Sequence, residues 1–228
     1  MAYVKPKPFP LQPLDPPSEQ TFTRLRSEMV DQQIRPRGIK DARVLDAIAT
    51  VPRHRFVPAA SQVWAYCDEP IPIGYGQTIS QPYIVAFMTE KADIPPAGKV
   101  LEVGTGSGYQ AAILGELADE VYSLEVVPQL AKQARATLNQ LGYRYIQVKQ
   151  GNGYQGWPEH APYDAILVTA APTSVPSPLI DQLAPGGKLV IPVGGSSQTL
   201  LVMTRTPHGV ITEYTIPVRF VSMIGETW

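Results

Sequence analysis

The stretch KVLEVGTGSGYQAA, residues 99–112, decides the fold. Residues 99–103 read as a strand. Gly104, Gly106 and Gly108 then make a turn, and a helix opens behind them over 108–118. Glycines at such a turn let the backbone bend sharply and come close to a ligand. The helix start supplies free peptide N–H groups and the positive end of a dipole. Glu125 ends the following strand, where a carboxylate can accept hydrogen bonds from both hydroxyls of a ribose. Strand, turn, helix and terminal carboxylate together point to a ligand that carries a nucleoside.

Outward from this stretch the chain alternates. Strand 121–125 leads to helix 128–141, and strand 145–149 follows. Then come strand 164–169, helix 176–183 and strand 187–193, with a hairpin over 198–217 around Pro207-His208-Gly209. Strands alternating with helices predict an α/β fold with a parallel sheet covered on both faces. Upstream, Phe22, Leu25, Met29 and Val30 recur at helical spacing, which predicts a helix over 19–34. Asp41 is a plausible N-cap for a second helix carrying Val44, Leu45 and Ile48. The Pro-bounded VPRHRFVP, residues 51–58, ends it. Residues 68–80 (DEPIPIGYGQTIS) read as a loop, and Pro82 fits the first turn of a further helix.

Composition narrows the function. The chain has 228 residues and 44% hydrophobic content, enough for a full core. Nineteen basic against 20 acidic residues leave a net charge of −1, with no basic block, which argues against a nucleic-acid binder. A single cysteine, Cys67, excludes an internal disulfide and a thiolate metal site. The three histidines are scattered, so no metal is expected. Lys5 and Lys7 precede no apolar run, and no stretch is long and apolar enough to span a membrane. The expectation is a cytoplasmic protein. Six of the 24 prolines fall within 6–17, an extended arm of the polyproline II kind.

Two ligands compete for the glycine turn. A dinucleotide fingerprint wants a third glycine where Tyr109 stands. The G-x-G-x-G spacing with Glu102 on the preceding strand resembles S-adenosylmethionine-dependent methyltransferases instead. Five further segments narrow the resemblance to the protein-L-isoaspartate O-methyltransferase family. They are IPIGYGQTISQPYIVAFM (71–88), GNGYQGW (151–157), YDAILVTAAPTSVP (163–176), QLAPGGKLVIPVG (182–194) and VRFVSMIGE (218–226). The helix around 43–58 also fits, so the resemblance runs from about residue 24 to the C-terminus.

The resemblance implies a Rossmann-like methyltransferase sandwich with N-terminal helices and a C-terminal hairpin. The proline-rich arm, outside the resemblance, is taken as 1–18, and the resemblance implies one domain over 19–228, with helices and substrate loop in 19–95 and the cofactor sheet and C-terminal segment in 96–228. It implies S-adenosyl-L-methionine as cofactor, held by Glu102, Gly104, Thr105, Gly106, Gly108, Glu125, Asn152, Gly153 and Thr169. Isoaspartyl-containing proteins and peptides become the partners, met by Thr78, Ile79, Gln81 and Val221. Ser80 takes the active-site role, alone or while also capping the helix at Pro82. Two positions depart from the family pattern. Asn152 stands for an Asp near the adenine, which keeps an acceptor but loses a charge. Ser222 stands for a Pro. A related enzyme acting on another carboxylate, such as a peptide aspartate, and a nicotinamide-dependent oxidoreductase remain the alternatives. Arg53 and Arg55 read as surface charge, Cys67 as a small buried hydrophobe, and Tyr154 and Trp157 as packing. The sequence leaves the oligomeric state open.

Overall fold

The computed structural model describes residues 17–225, so nearly all of the proline arm lies outside the described residues. Ser18 caps α1 (Glu19–Met29), its hydroxyl accepting from the Thr21 N–H at 3.2 Å. The helical path does not end there. It runs through a wide turn, Val30–Ile34, and a tight one, Arg35–Arg37, until Gly38 turns left-handed at φ +98°. The expected single helix over 19–34 is therefore a helix with two irregular turns. α2 (Ala42–Thr50) follows Asp41, whose carboxylate accepts from the Arg43 N–H at 2.8 Å.

Residues 68–80 are not all loop. They hold a small antiparallel hairpin, β1 (Ile71–Gly74) and β2 (Gln77–Ile79). Its short strands and its prolines and glycines hide the alternation that marks a strand. α3 (Pro82–Ala92) starts at the expected proline.

Among the described residues the main sheet has seven strands. They are β3 (Lys99–Val103), β4 (Glu120–Glu125), β5 (Gln147–Gln150), β6 (Tyr163–Val168), β7 (Leu183–Gly194), β8 (Gln198–Thr206) and β9 (Gly209–Val218). Their order is β5-β4-β3-β6-β7-β8-β9. The first five run parallel, and β8 and β9 are antiparallel, so the C-terminal hairpin extends the sheet. The strand from the deciding stretch is the central one of the five parallel strands, buried from Val100 to Val103 and apolar there except for Glu102.

Alternate residues feed two cores. Val100, Val121, Leu167 and Val190 pack with Met29, Ile48, Met88 and Ile113 from the helical layer on one face. That layer includes α4 (Tyr109–Gly115) and α5 (Pro128–Gln140), α4 being shorter than the expected 108–118. Leu101, Val103, Leu124 and Ile166 face Trp157 and Leu179 on the other side. There the cover is thin: α6 (Ser177–Asp181) and two tight turns, Gly153–Gln155 and Pro158–His160. The chain builds outward from β3 to β5, then crosses back to β6 on the other flank. Such a reversal opens a crevice at the carboxyl ends of the strands. Among the described residues no helix is long and apolar enough to cross a membrane.

Candidate active site

The crevice gathers the loops that follow β3, β4, β5 and β6. It leaves about 780 Å³ free of atoms, open solvent included. Gly104, with φ +103°, begins the turn. A Cβ there would stand 2.4 Å from Thr169 Oγ1, so only glycine fits. Thr169 uses that closeness: its hydroxyl donates to the Gly104 carbonyl at 2.6 Å and braces the turn from β6. Gly153 is equally constrained, because a Cβ would meet Val103 Cγ1 at 2.3 Å. The backbone therefore forms the wall at both places.

Glu125 ends β4 and aims its carboxylate across the turn. Oε2 accepts from the Gly106 N–H at 2.7 Å, and Oε1 from the Val127 N–H at 2.9 Å. Both oxygens keep lone pairs for hydroxyl donors. Glu102 lies deeper and is fully buried. Its Oε2 accepts from Ser123 Oγ at 2.5 Å, and Ser123 in turn lies 2.5 Å from Thr105 Oγ1. Oε1 has no hydrogen-bond partner. Burial pushes this carboxyl up to about 8; the Ser123 hydrogen bond opposes the shift and the charge of Glu125 adds to it. A buried acceptor without a partner, lining a cleft, fits an incoming ammonium group.

A second cleft adjoins the first. Its walls include Arg37, Gln81, Tyr83 and Ile84 on one side and the run 216–221 on the other. Thr78, Ser80, Thr169 and Val221 line both clefts. Ser80 is thus at the junction, half-buried, in the position the sequence reading gave it. It is not the helix cap: the N-cap of α3 is Gln81, which makes no side-chain cap bond. Asp68 does that work from outside the helix. Its Oδ1 accepts from the Tyr83 N–H at 2.8 Å, and its Oδ2 from Gln81 Nε2 at 2.6 Å and from the Arg37 guanidinium. Arg37 lies flat over the Tyr83 ring, 3.4 Å from its centre.

The C-terminal segment closes the far wall. Gln198 grips Phe220 at both its N–H (2.6 Å) and its carbonyl (3.1 Å). Ala171 then pairs with the strap, donating to Val221 at 2.8 Å and accepting from Met223 at 2.8 Å. Ser222 sits between them and faces the first cleft.

The structure brings most of the expected residues together and leaves two of them, Gly108 and Asn152, off both clefts. Gly108 is turned away from the cleft, as the N-cap of α4 against Ala134 and Leu138. Asn152 is not on the cleft wall, although Gly151 and Gly153 are; its Oδ1 accepts from the Tyr154 N–H at 3.0 Å and caps a tight turn. Arg53 is not surface charge but wholly buried, whereas Arg55 is exposed. Cys67 is half-buried, and burial pushes its thiol up, away from reactivity. His54 stacks on Phe22, and Trp157 is buried in the second core. No histidine lines either cleft, and among the described residues no cluster could hold a metal ion. Sequence reasoning missed Arg37 and Asp68. No local pattern marks Asp68, since it caps α3 from fifteen residues away.

Comparison with known proteins agrees with this geometry. The family model described as protein-L-isoaspartate(D-aspartate) O-methyltransferase matches residues 24–227. A protein-L-isoaspartate O-methyltransferase of Gloeobacter violaceus is 59% identical over 200 residues, covering 87% of this chain and 98% of its own. One from Picosynechococcus is 60% identical over 204 residues, covering 90% and 92%. Among solved structures, a Plasmodium falciparum protein described as a member of this family, in complex with S-adenosyl-L-homocysteine, superposes with a TM-score of 0.77. It is 26% identical and covers 87% of this chain and 98% of its own. The chain belongs to the protein-L-isoaspartate O-methyltransferase family.

Proposed function

We propose that the protein transfers a methyl group from S-adenosylmethionine to the free carboxylate of isoaspartyl residues in damaged proteins, and so initiates their repair. One observation carries this reading: the nucleoside-type cleft and the second cleft meet at Ser80. Glu125 and the Gly104–Gly106 backbone would hold the ribose and its neighbours, and Glu102 the amino group. When bound, the cofactor supplies a methyl group on a sulfonium, which is already a good leaving group.

The chain then has little chemistry to perform. An isoaspartyl carboxylate with a pKa near ~4 is ionised at neutral pH, so no general base is needed. The absence of histidine from both cleft walls supports this. Ser80 and Thr78 orient the carboxylate oxygen toward the cofactor side, and the strap with Val221 keeps water out. The second cleft is lined by Arg37, whose charge is paired by Asp68, and by the exposed Arg219, which carries no ion pair among the described residues and suits an anionic acceptor. This reading sets the protein in the cytoplasm, with damaged polypeptides as partners.

Paired peptides that differ only in Asp against isoAsp test the reading. Methyl incorporation into the isoAsp peptide alone is expected. Equal labelling of both would point to a general carboxyl methyltransferase.

A further inference from the structure

Arg53 is among the largest fully buried side chains of the described residues, and the only arginine or lysine among their buried polar groups. It follows Pro52 and opens a tight turn, Arg53–Phe56. Its Nε donates to the Ala65 carbonyl at 2.8 Å, and its Nη2 to the Ser80 carbonyl at 2.8 Å. The guanidinium carbon lies 4.8 Å from the centre of the Tyr109 ring. Tyr109 is itself buried, opens α4 directly behind the glycine turn, and touches Phe56 edge-on at 5.6 Å. One side chain therefore joins three segments: the 59–65 turn, the Ser80 loop and the cofactor helix.

The energetics make this arrangement costly as mere filling. Removing a guanidinium from water is expensive unless it is paired. No carboxylate forms an ion pair with Arg53 among the described residues. An apolar side chain would fill the space at less cost. Burial lowers the Arg53 pKa only to about 10, so the cation persists at neutral pH. What the charge gains is a charge-assisted bond to a backbone carbonyl, stronger and more directional than a neutral one. That carbonyl belongs to the residue at the junction of the two clefts.

We propose that Arg53 is a positioning residue: its planar fork fixes the Ser80 backbone against the 59–65 turn and the Tyr109 ring, and so sets the distance from acceptor carboxylate to cofactor. Its functional arm rests on the methyltransferase reading above; its structural arm does not.

Arg53→Lys separates the two. Lysine keeps the charge but carries it as a point, without the fork that spans two carbonyls. Hydrogen exchange in the full chain is expected to quicken at least about tenfold in residues 77–84. Exchange in β3 and β4 should stay at the wild-type rate. With S-adenosylmethionine and an isoAsp peptide, kcat should fall by up to about tenfold, no more than the loss of the Ser80 hydroxyl itself. Affinity for S-adenosylhomocysteine should stay within about twofold. In a Ser80→Ala background the same substitution should cost almost nothing more, because both act through one residue. Unchanged exchange at 77–84, or equal loosening of β3 and β4, would overturn the proposal. Arg53→Gln, which keeps one donor, is the second variant. If neither variant folds, Arg53 is a determinant of the fold and not of the site, and the proposal is lost. A wild-type chain that methylates no isoAsp peptide would refute the functional reading, while the exchange result still decides the role of Arg53.

Discussion

At the scale of single residues, Ser80 and Glu102 separate two kinds of contribution. Ser80→Ala should slow methyl transfer about tenfold, the worth of one hydrogen bond to a charged group, while S-adenosylhomocysteine affinity by calorimetry is nearly kept. Glu102 acts on the empty protein as well. Its carboxyl titrates near 8 when folded, against 4.5 as the ordinary value. Between those values the unfolded chain has lost a proton that the folded chain keeps. Stability therefore falls as pH rises, by up to roughly 1.4 kcal/mol per unit, and levels off above the folded value. Glu102→Gln removes that slope. In urea melts from pH 5 to 9 without ligand, the variant should gain on the wild type as pH rises, yet bind S-adenosylhomocysteine more weakly. Glu102 and Glu125 were legible in the sequence because the strand–turn–helix pattern places them, and Ser80 because it stands just before Pro82 in the 71–88 stretch that resembles the family's loop. Arg53 was not. A lone arginine in a Pro-bounded turn reads as solvated, since burial without a carboxylate is rare.

At the scale of elements, α3 carries Ser80 at its mouth but does not cap itself. Pro82 lacks an N–H, Gln81 offers no side-chain cap, and Asp68 supplies the acceptor from across the hairpin. Asp68→Ala should cost about 1–2 kcal/mol of stability by denaturant melts. It should also raise KM for the peptide, because Arg37 and Gln81 lose their shared anchor on the cleft wall. Long elements were readable: the period of β3, β4, β6 and β7 needs no tertiary information. The β1–β2 hairpin was not, because four- and three-residue strands with Pro72 and Gly74 carry too few alternations. α1 stops at Met29, short of the expected 34, while the helical path continues to Gly38 through two turns that periodicity cannot distinguish from helix.

At the scale of the whole molecule, the reversal of strand order explains why residues far apart in sequence converge. Sequence alternation alone predicts the parallel sheet, but the thin second face depends on how Trp157 and Leu179 fill it. The net charge is −1, yet the second cleft is lined by Arg219 and by Arg37, of which only Arg37 is paired, by Asp68. Raising the ionic strength should therefore increase KM for an acidic peptide several-fold with little change in kcat. That same lining bears on what happens after the transfer. The reaction turns an anion into a neutral ester, so the field that drew the peptide in no longer holds it. Product should leave faster than unreacted substrate, and the finished ester should be a poor competitor for the next damaged chain.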